Sequence, residues 1–419
     1  MTHRRTLEVN DLADIDLADP RVHAEHDLSG VWQRLRSEVP VYWHPETDRG
    51  AGFWVITRYS DVTAVYRDSA HFSSQRGNVL DTLLTGGDSA SGRMLAVTDG
   101  QPHADLRAVV AKAFSARALA AMVRGIRGAT RRLLEDALEK GDCDFARDVA
   151  ANIPIAAVCD LLGVPLTDRN HILGLTSAAL GSDHGVPTVV DTWAARNEIL
   201  LYFCELAQSR RGTPHDDLVS LLVTSEVGGR SLSNDEVIFN CYSILLGGDE
   251  TTRLSMIGGV LALAEHPGQW HAFRDGDVSV ESAVEEVLRW TTPALHSGRT
   301  ATADILLNGK LIEAGDIVTA WTASANYDER QFGQPDVLDL SRKPNKHLTF
   351  AYGPHFCLGS YLARAELGAV LAALRAMVAQ IDTTGPQRRV YSNFLSGLCS
   401  LPVRLTPRCR MPAEVRAPR

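Results

Sequence analysis

No C-x-x-C pair occurs in the 419 residues, and the seven cysteines are odd in number. A disulfide framework and a cysteine-rich zinc site are therefore both disfavoured. Most of the cysteines are expected to be small buried hydrophobes. Positive charge is also scarce: the formal net charge is −9, with no long basic block. That balance argues against a broad nucleic-acid-binding face. The start, MTHRRTLEVNDLADIDLADP, carries two arginines with no apolar stretch behind them. Neither a signal peptide nor a membrane anchor is expected from it, and the expected location is the cytoplasm. No repeat, low-complexity tract or Pro/Gly/Ser-rich linker divides the chain. One domain over 21–407 is expected, with flexible tails at 1–20 and 408–419. No G-x-G-x-x-G follows a strand-like stretch, so a nicotinamide or flavin site is not indicated.

The chain does have an ordinary globular balance, 45% hydrophobic and 22% charged, and helical periodicity dominates it. Helices are expected at 102–113, 118–139, 146–162, 190–210, 215–224, 280–290 and 358–380. Short strands are expected at 41–44, 52–58, within 297–320 and near 388–405. GSDHGVP at 181–187 reads as a mobile connection. The expected class is mainly α with a smaller β portion. SNDE, Ser233 to Glu236, fits a capping box. The apolar run behind it continues to about residue 264, a rod on the order of 45 Å long. Its middle, LLGGDETTR, conflicts with burial, because Gly weakens a helix and unpaired acids are costly to bury. Such a conflict points to function.

A second feature is Cys357 in HLTFAYGPHFCLGSYLARAEL. It closes a Gly/Pro-containing loop just before a helix, where free N–H groups favour a thiolate. Gly353 and Gly359 let backbone approach a flat ligand, and a thiolate so placed suits iron. FAYGPHFCLG resembles the haem-binding signature of the cytochrome P450 family, F-G-x-G-x-[HR]-x-C-x-G, at Phe350, Gly353, His355, Cys357 and Gly359; Ala351 stands where the family has Gly. Glu286 and Arg289 in EEVLRW resemble the family's E-x-x-R pair, and Arg342 in DVLDLSR resembles its third member, a structural trio. In QPHADLR, His103 and Arg107 lie four apart. The resemblance makes them donors to the haem propionates, with Arg299 and His355 as the other partners.

GGDETT then resembles the family's [AG]-G-x-[DE]-T segment, with Gly247, Gly248, Glu250 and Thr251 in place. The resemblance implies a fold with haem b (iron protoporphyrin IX) between the long central helix and the cysteine-loop helix, its iron ligated by Cys357. Glu250 and Thr251 become the catalytic proton-delivery pair, and Thr251 is expected to open the helical ladder. Asp249 is expected to face elsewhere, and Thr252 to stand in for Thr251. The implied activity is a haem-thiolate monooxygenase that hydroxylates or epoxidises an apolar small molecule with O2. Oxidative ring-forming or coupling chemistry, a peroxide-driven enzyme and a non-catalytic haem sensor are the alternatives.

The expected substrate is a natural-product intermediate, of secondary-metabolite or antibiotic type, free or tethered to a carrier protein. Pocket segments are expected at 78–85, 175–189, 244–248, 293–296 and 394–398, with His296 as a polar handle. The resemblance further implies a ferredoxin and a ferredoxin reductase as electron donors. Lys112, Arg117 and Arg364 are candidate docking charges. A monomer without nucleic-acid or membrane partners is expected.

Overall fold

Ser233 starts the longest helix. Its Oγ accepts the Glu236 N–H at 3.2 Å, while the Glu236 carboxylate accepts the Ser233 N–H at 2.8 Å. This reciprocal cap satisfies two donors that would otherwise be free. The helix then runs unbroken from Asn234–Glu265, 32 residues, and Pro267 opens the next helix beyond His266. Met256, Ile257 and Val260 are fully buried in the main core. The helices packed around it include Asn152–Leu162, Val189–Gly212, Val280–Thr291 and Ser360–Met377. The computed structural model describes residues 5–6, 12–180 and 189–408. The expected connection at 181–187 lies outside them, as do 409–419.

Strands Val41–His44, Phe53–Ile56, Ile317–Ala320, Ser297–Ala301 and Phe72–Ser73 form a five-stranded sheet in that spatial order. Phe53–Ile56 and Ile317–Ala320 run parallel, and the other pairings are antiparallel. The helix expected at 358–380 stops at Met377, and Val378–Thr383 is a strand paired with Pro402–Pro407. Val378 and Ile381 point into the core there, so pairing with a distant strand overrides the local helical pattern. The stretch 146–162 divides into a π-helical turn, Ala146–Ala150, and the helix Asn152–Leu162. Helices Ser29–Glu38 and Arg169–Leu180 had no counterpart in the periodicity.

Part of the stretch expected as a tail, 1–20, packs on the core instead. Leu12, Ile15, Leu17 and Ala18 are buried against Trp32 and Trp321. Four apolar side chains in seven residues bury enough area to hold this segment on the core. Among the described residues no helix is long and apolar enough to cross a membrane.

Candidate active site

The cysteine loop is shaped by two left-handed residues. Ala351 has φ 57° and Gly353 φ 72°. A Cβ on Gly353 would stand 2.5 Å from the Tyr66 carbonyl oxygen, so the glycine is needed for both conformation and space. The turn closes with the Cys357 N–H donating to the Phe350 carbonyl at 2.9 Å. Helix Ser360–Met377 starts three residues later. Cys357 lines a cavity of about 360 Å³. Burial pushes its thiol above the ordinary value, while the Gly359 and Ser360 N–H groups and the Arg107 and Arg364 charges pull it down. The expected thiolate-favouring donors are therefore present around a side chain that opens onto the cavity.

The opposite wall is the central helix. Ser243, Gly247, Thr251 and Ser255, spaced by four, all line the cavity, as one helix face must. Gly247 has no neighbour within 4 Å of its missing Cβ, whereas a Cβ on Gly248 would meet Val158 at 3.1 Å. The first glycine leaves the cavity open, and the second lets two helices approach. Thr251 Oγ1 donates to the Gly247 carbonyl at 3.1 Å, and Ser255 Oγ to the Thr251 carbonyl at 3.0 Å. These hydroxyls bond back along the helix, and the helix remains continuous; the expected opening of the ladder at Thr251 is not present. Thr252 also lines the cavity.

Glu250 is buried behind this wall, where its carboxylate accepts from Arg253 Nη2 at 2.8 Å. Asp249 faces elsewhere, as expected: its Oδ2 accepts the Thr176 hydroxyl at 2.9 Å, which ties the central helix to Arg169–Leu180. Glu366, on the cysteine-loop helix, also lines the cavity. Burial, with Asp249 nearby, raises its carboxyl well above the carboxylate range. Its Oε1 has no hydrogen-bond partner among the described residues.

One end of the cavity concentrates cationic and imidazole groups. His103, Arg107 and His355 line it, and the two imidazole rings lie 4.3 Å apart. Arg107 Nη2 donates to the Phe356 carbonyl at 2.5 Å. Arg299 is buried 5.7 Å from the ring of Tyr66, and Tyr66 itself lines the cavity. His355 Nε2 is held by Asp99 Oδ1 at 2.8 Å. Asp99 also accepts from the Ser73 hydroxyl and from the Ser74 N–H and hydroxyl, at 2.7–2.9 Å. Burial works to raise the Asp99 carboxyl, yet these donors hold it well below the usual range. Burial, helped by the His355 and Arg107 charges, pulls His103 down to about 4. His103 Nε2 is buried with no hydrogen-bond partner among the described residues. A flat macrocycle with two carboxylates fits such a site, with a thiol on one face and a cationic end.

Beneath the cysteine loop, Arg289 grips Glu286 with Nε and Nη2, both at 2.8 Å. Arg342 Nε adds contacts at 3.1 and 3.2 Å, and Asn345 Nδ2 one at 2.9 Å. Arg289 Nη1 reaches the carbonyls of Asn326 and Pro335, each at 3.0 Å. Arg342 donates to those of Gly333, Gln334 and Val337. The trio ties helix Val280–Thr291 to the irregular segment before the loop.

Of the expected pocket segments, Asn78, Ile244, Pro293 and Ala294 line the cavity, joined by Leu95, Ala96 and Phe114. Much of 175–189 lies outside the described residues. His296 lines the cavity too, but its Nε2 is occupied by the Leu80 N–H at 3.2 Å. Of the docking candidates, Lys112 and Arg117 are exposed, whereas Arg364 is paired with Glu285 at 2.6 Å and 3.0 Å. Asp99 and Glu366 escaped the sequence reading. Asp99 stands four residues before His103, and Glu366 interrupts the apolar face Leu362–Glu366–Val370; that interruption was the available signal.

The family profile described as Cytochrome P450 matches residues 279–375. Cytochrome P450 NovI of Streptomyces niveus is 48% identical over 406 residues, 97% of this chain and 100% of the relative. A methyl-branched lipid omega-hydroxylase of Mycobacterium tuberculosis is 34% identical, covering 94% of this chain and 95% of its own. The crystal structure of P450 OxyD, involved in biosynthesis of vancomycin-type antibiotics, superposes with a TM-score of 0.87. It has 37% identity and covers 94% of this chain and 100% of that one. Identity of this extent along the whole chain leaves no doubt about kinship: the protein belongs to the cytochrome P450 family and is a haem-thiolate monooxygenase.

Proposed function

We propose that the protein inserts one oxygen atom of O2 into an apolar natural-product intermediate, by hydroxylation or epoxidation. The observation that carries this reading is the juxtaposition of Cys357 on one wall of the cavity and the Gly247–Thr251 face on the other. Haem bound between them supplies the iron at which dioxygen is activated. In this reading Cys357 is the iron ligand, and Phe350, Gly353 and Gly359 shape its loop. His103, Arg107, Arg299 and His355 hold the haem carboxylates, with Asp99 orienting His355. Neutralising buried carboxylates requires such charge-assisted donors.

Thr251 Oγ1 is the group that would hand a proton into the cavity, and Glu250 would relay that proton from solvent. Glu250 must leave Arg253 to do so, and an ion pair only three residues long on one helix allows a rotamer exchange of that kind. The substrate side is apolar at Leu95, Ala96, Ile244 and Ala294, with Asn78 and Ser243 as polar lining residues. A molecule mainly hydrocarbon or aromatic, carrying one or two hydrogen-bonding groups, suits those walls, free or on a carrier protein. The antibiotic pathway of OxyD supports the natural-product class.

Electrons come from a ferredoxin and its reductase, docked near Lys112 and Arg117. Arg364 is left out of this contact because Glu285 already holds it. Oxidative coupling shares the same machinery, and product analysis separates it from oxygen insertion. Two experiments test the proposal. The optical spectrum of the reduced, carbon monoxide-treated protein is expected to show thiolate ligation, lost in Cys357→His. Turnover under labelled O2 is expected to place one labelled atom in the product. Product formed only with hydrogen peroxide, or product that carries no label, contradicts it.

A further inference from the structure

Three chain segments far apart in sequence meet at one imidazole. The short helix Leu80–Leu84 has Val79 at its N-cap position and no side-chain cap of its own. Leu80 is fully buried, so its N–H has no water to turn to. His296 Nε2 accepts that N–H at 3.2 Å and so serves as the missing cap from another part of the chain. A buried donor left without an acceptor costs far more than an average hydrogen bond contributes.

The other side of the ring faces the backbone of Asn393. Asn393 returns to the short helix: its Nδ2 donates to Asp81 Oδ1 at 2.6 Å and to the Ala18 carbonyl at 2.8 Å. Main-chain bonds stitch the same segments on either side of His296. Leu295 N–H meets the Phe394 carbonyl, Ser396 N–H the Pro293 carbonyl, and Gly298 N–H the Asn78 carbonyl, each at 2.8 Å. Trp321, itself fully buried, tilts against the ring at 4.7 Å, and Phe394 meets it edge-on at 5.6 Å. Burial pulls the imidazole down to about 3, which keeps Nε2 an acceptor at physiological pH. An imidazolium would present a second donor to Leu80.

We propose that His296 is a positioning residue for substrate: its Nε2 caps Leu80–Leu84 and clamps the segments around 80, 295 and 394 into one cavity wall. Asn78, whose carbonyl the clamp holds, then presents its side-chain amide to the substrate from a fixed place. This rests on the reading of the cavity as the haem and substrate site. The clamp favours rigid substrates with a hydrogen-bonding group at the end facing residue 78.

The test uses the haem-loaded full chain with His296→Leu, which keeps bulk but no acceptor, and His296→Gln, whose side-chain oxygen can reach the Leu80 N–H. Hydrogen exchange of the 80–84 amides is expected to quicken about tenfold or more in His296→Leu. It is expected to return near the wild-type rate in His296→Gln. Imidazole, which needs only the iron, and 4-phenylimidazole, which also needs the wall, are the optical probes. His296→Leu is expected to weaken 4-phenylimidazole about tenfold while leaving imidazole unchanged, and His296→Gln to restore it. Unchanged exchange at 80–84 in His296→Leu overturns the proposal. So does fast exchange in His296→Gln, which alone decides the matter should the leucine variant not load haem. Failure of the wild type to give any imidazole spectrum instead removes the haem reading, independently of the clamp.

Discussion

Thr251 and Glu250 are adjacent in sequence and face different surroundings. The hydroxyl of Thr251 lines the cavity, while Glu250 is buried in its pair with Arg253. Thr251→Ala is therefore expected to bind substrate normally yet lose product formation about a hundredfold, with electrons diverted to peroxide. Product and peroxide measured against NADH consumed check this, and tight coupling in the variant refutes it. Glu366 makes a second prediction through its pH dependence. Its folded carboxyl titrates above the unfolded value. From the ordinary glutamate range up to that folded pKa, the native state holds a proton the unfolded state has lost. Stability therefore falls as pH rises through this window, by roughly 1.4 kcal/mol per pH unit for this group. Glu366→Gln removes the term, so its stability relative to wild type is expected to grow as pH rises above the ordinary glutamate value of 4.5. Denaturant unfolding across that rise measures it; a constant difference speaks against a protonated Glu366. Thr251 stood out as the proposed proton donor because a Gly-Gly pair lies close before it inside an apolar run. The burial of Glu366 did not, because one acid on a helix face is ordinarily solvated.

At the level of elements, the cysteine loop shows where a local rule is broken. Ala351 sits at φ 57°, a region costing an L-residue about 1–2 kcal/mol. Ala351→Gly is expected to stabilise the protein by about 0.5–1 kcal/mol, since part of the relief is lost to the greater freedom of unfolded glycine. Chemical denaturation with haem content held constant is the measurement, and a destabilised variant contradicts the strain. The central helix was readable end to end from its capping box, its apolar run and His266–Pro267. Strand Val378–Thr383 was not, because its partner Pro402–Pro407 is supplied by chain some 25 residues later. The clamp at His296 was equally hidden: nothing near 296 in sequence shows that an uncapped helix at residue 80 needs an acceptor.

Across the whole molecule, the Glu286–Arg289–Arg342 cluster joins helix Val280–Thr291 to the segment carrying the cysteine loop. Both partners of the central pair are fully buried. Glu286→Gln leaves two guanidinium groups short of a counter-charge and is expected to cost about 3–5 kcal/mol, with poor haem retention. Unfolding free energy and haem content report it, and a change below about 1 kcal/mol marks the pair as dispensable. Long-range electrostatics enter with the electron donor. The chain is acidic overall at −9, so the proposed docking of a ferredoxin near Lys112 and Arg117 would rely on local charge. Raising ionic strength from about 0.01 M to about 0.15 M shortens the Debye length from about 30 to 8 Å. The bimolecular rate of reduction is expected to fall about tenfold, and Lys112→Glu to flatten that dependence. Stopped-flow reduction by ferredoxin decides between this and a salt-independent contact.

Local chemistry by itself determined the family, the cysteine on its loop, the polar interruption of the central helix and the E-x-x-R pair. Each is a short stretch whose residue types make sense only together. Tertiary structure alone decided which groups share the cavity and which lie behind it. It joined Asp99 to His355, hid Glu250 beside Arg253, buried Glu366 with no partner for Oε1 among the described residues, and brought Leu80, His296 and Asn393 together. Hydrogen-bond demand and burial are properties of contacts between distant segments, and no spacing along a chain records them.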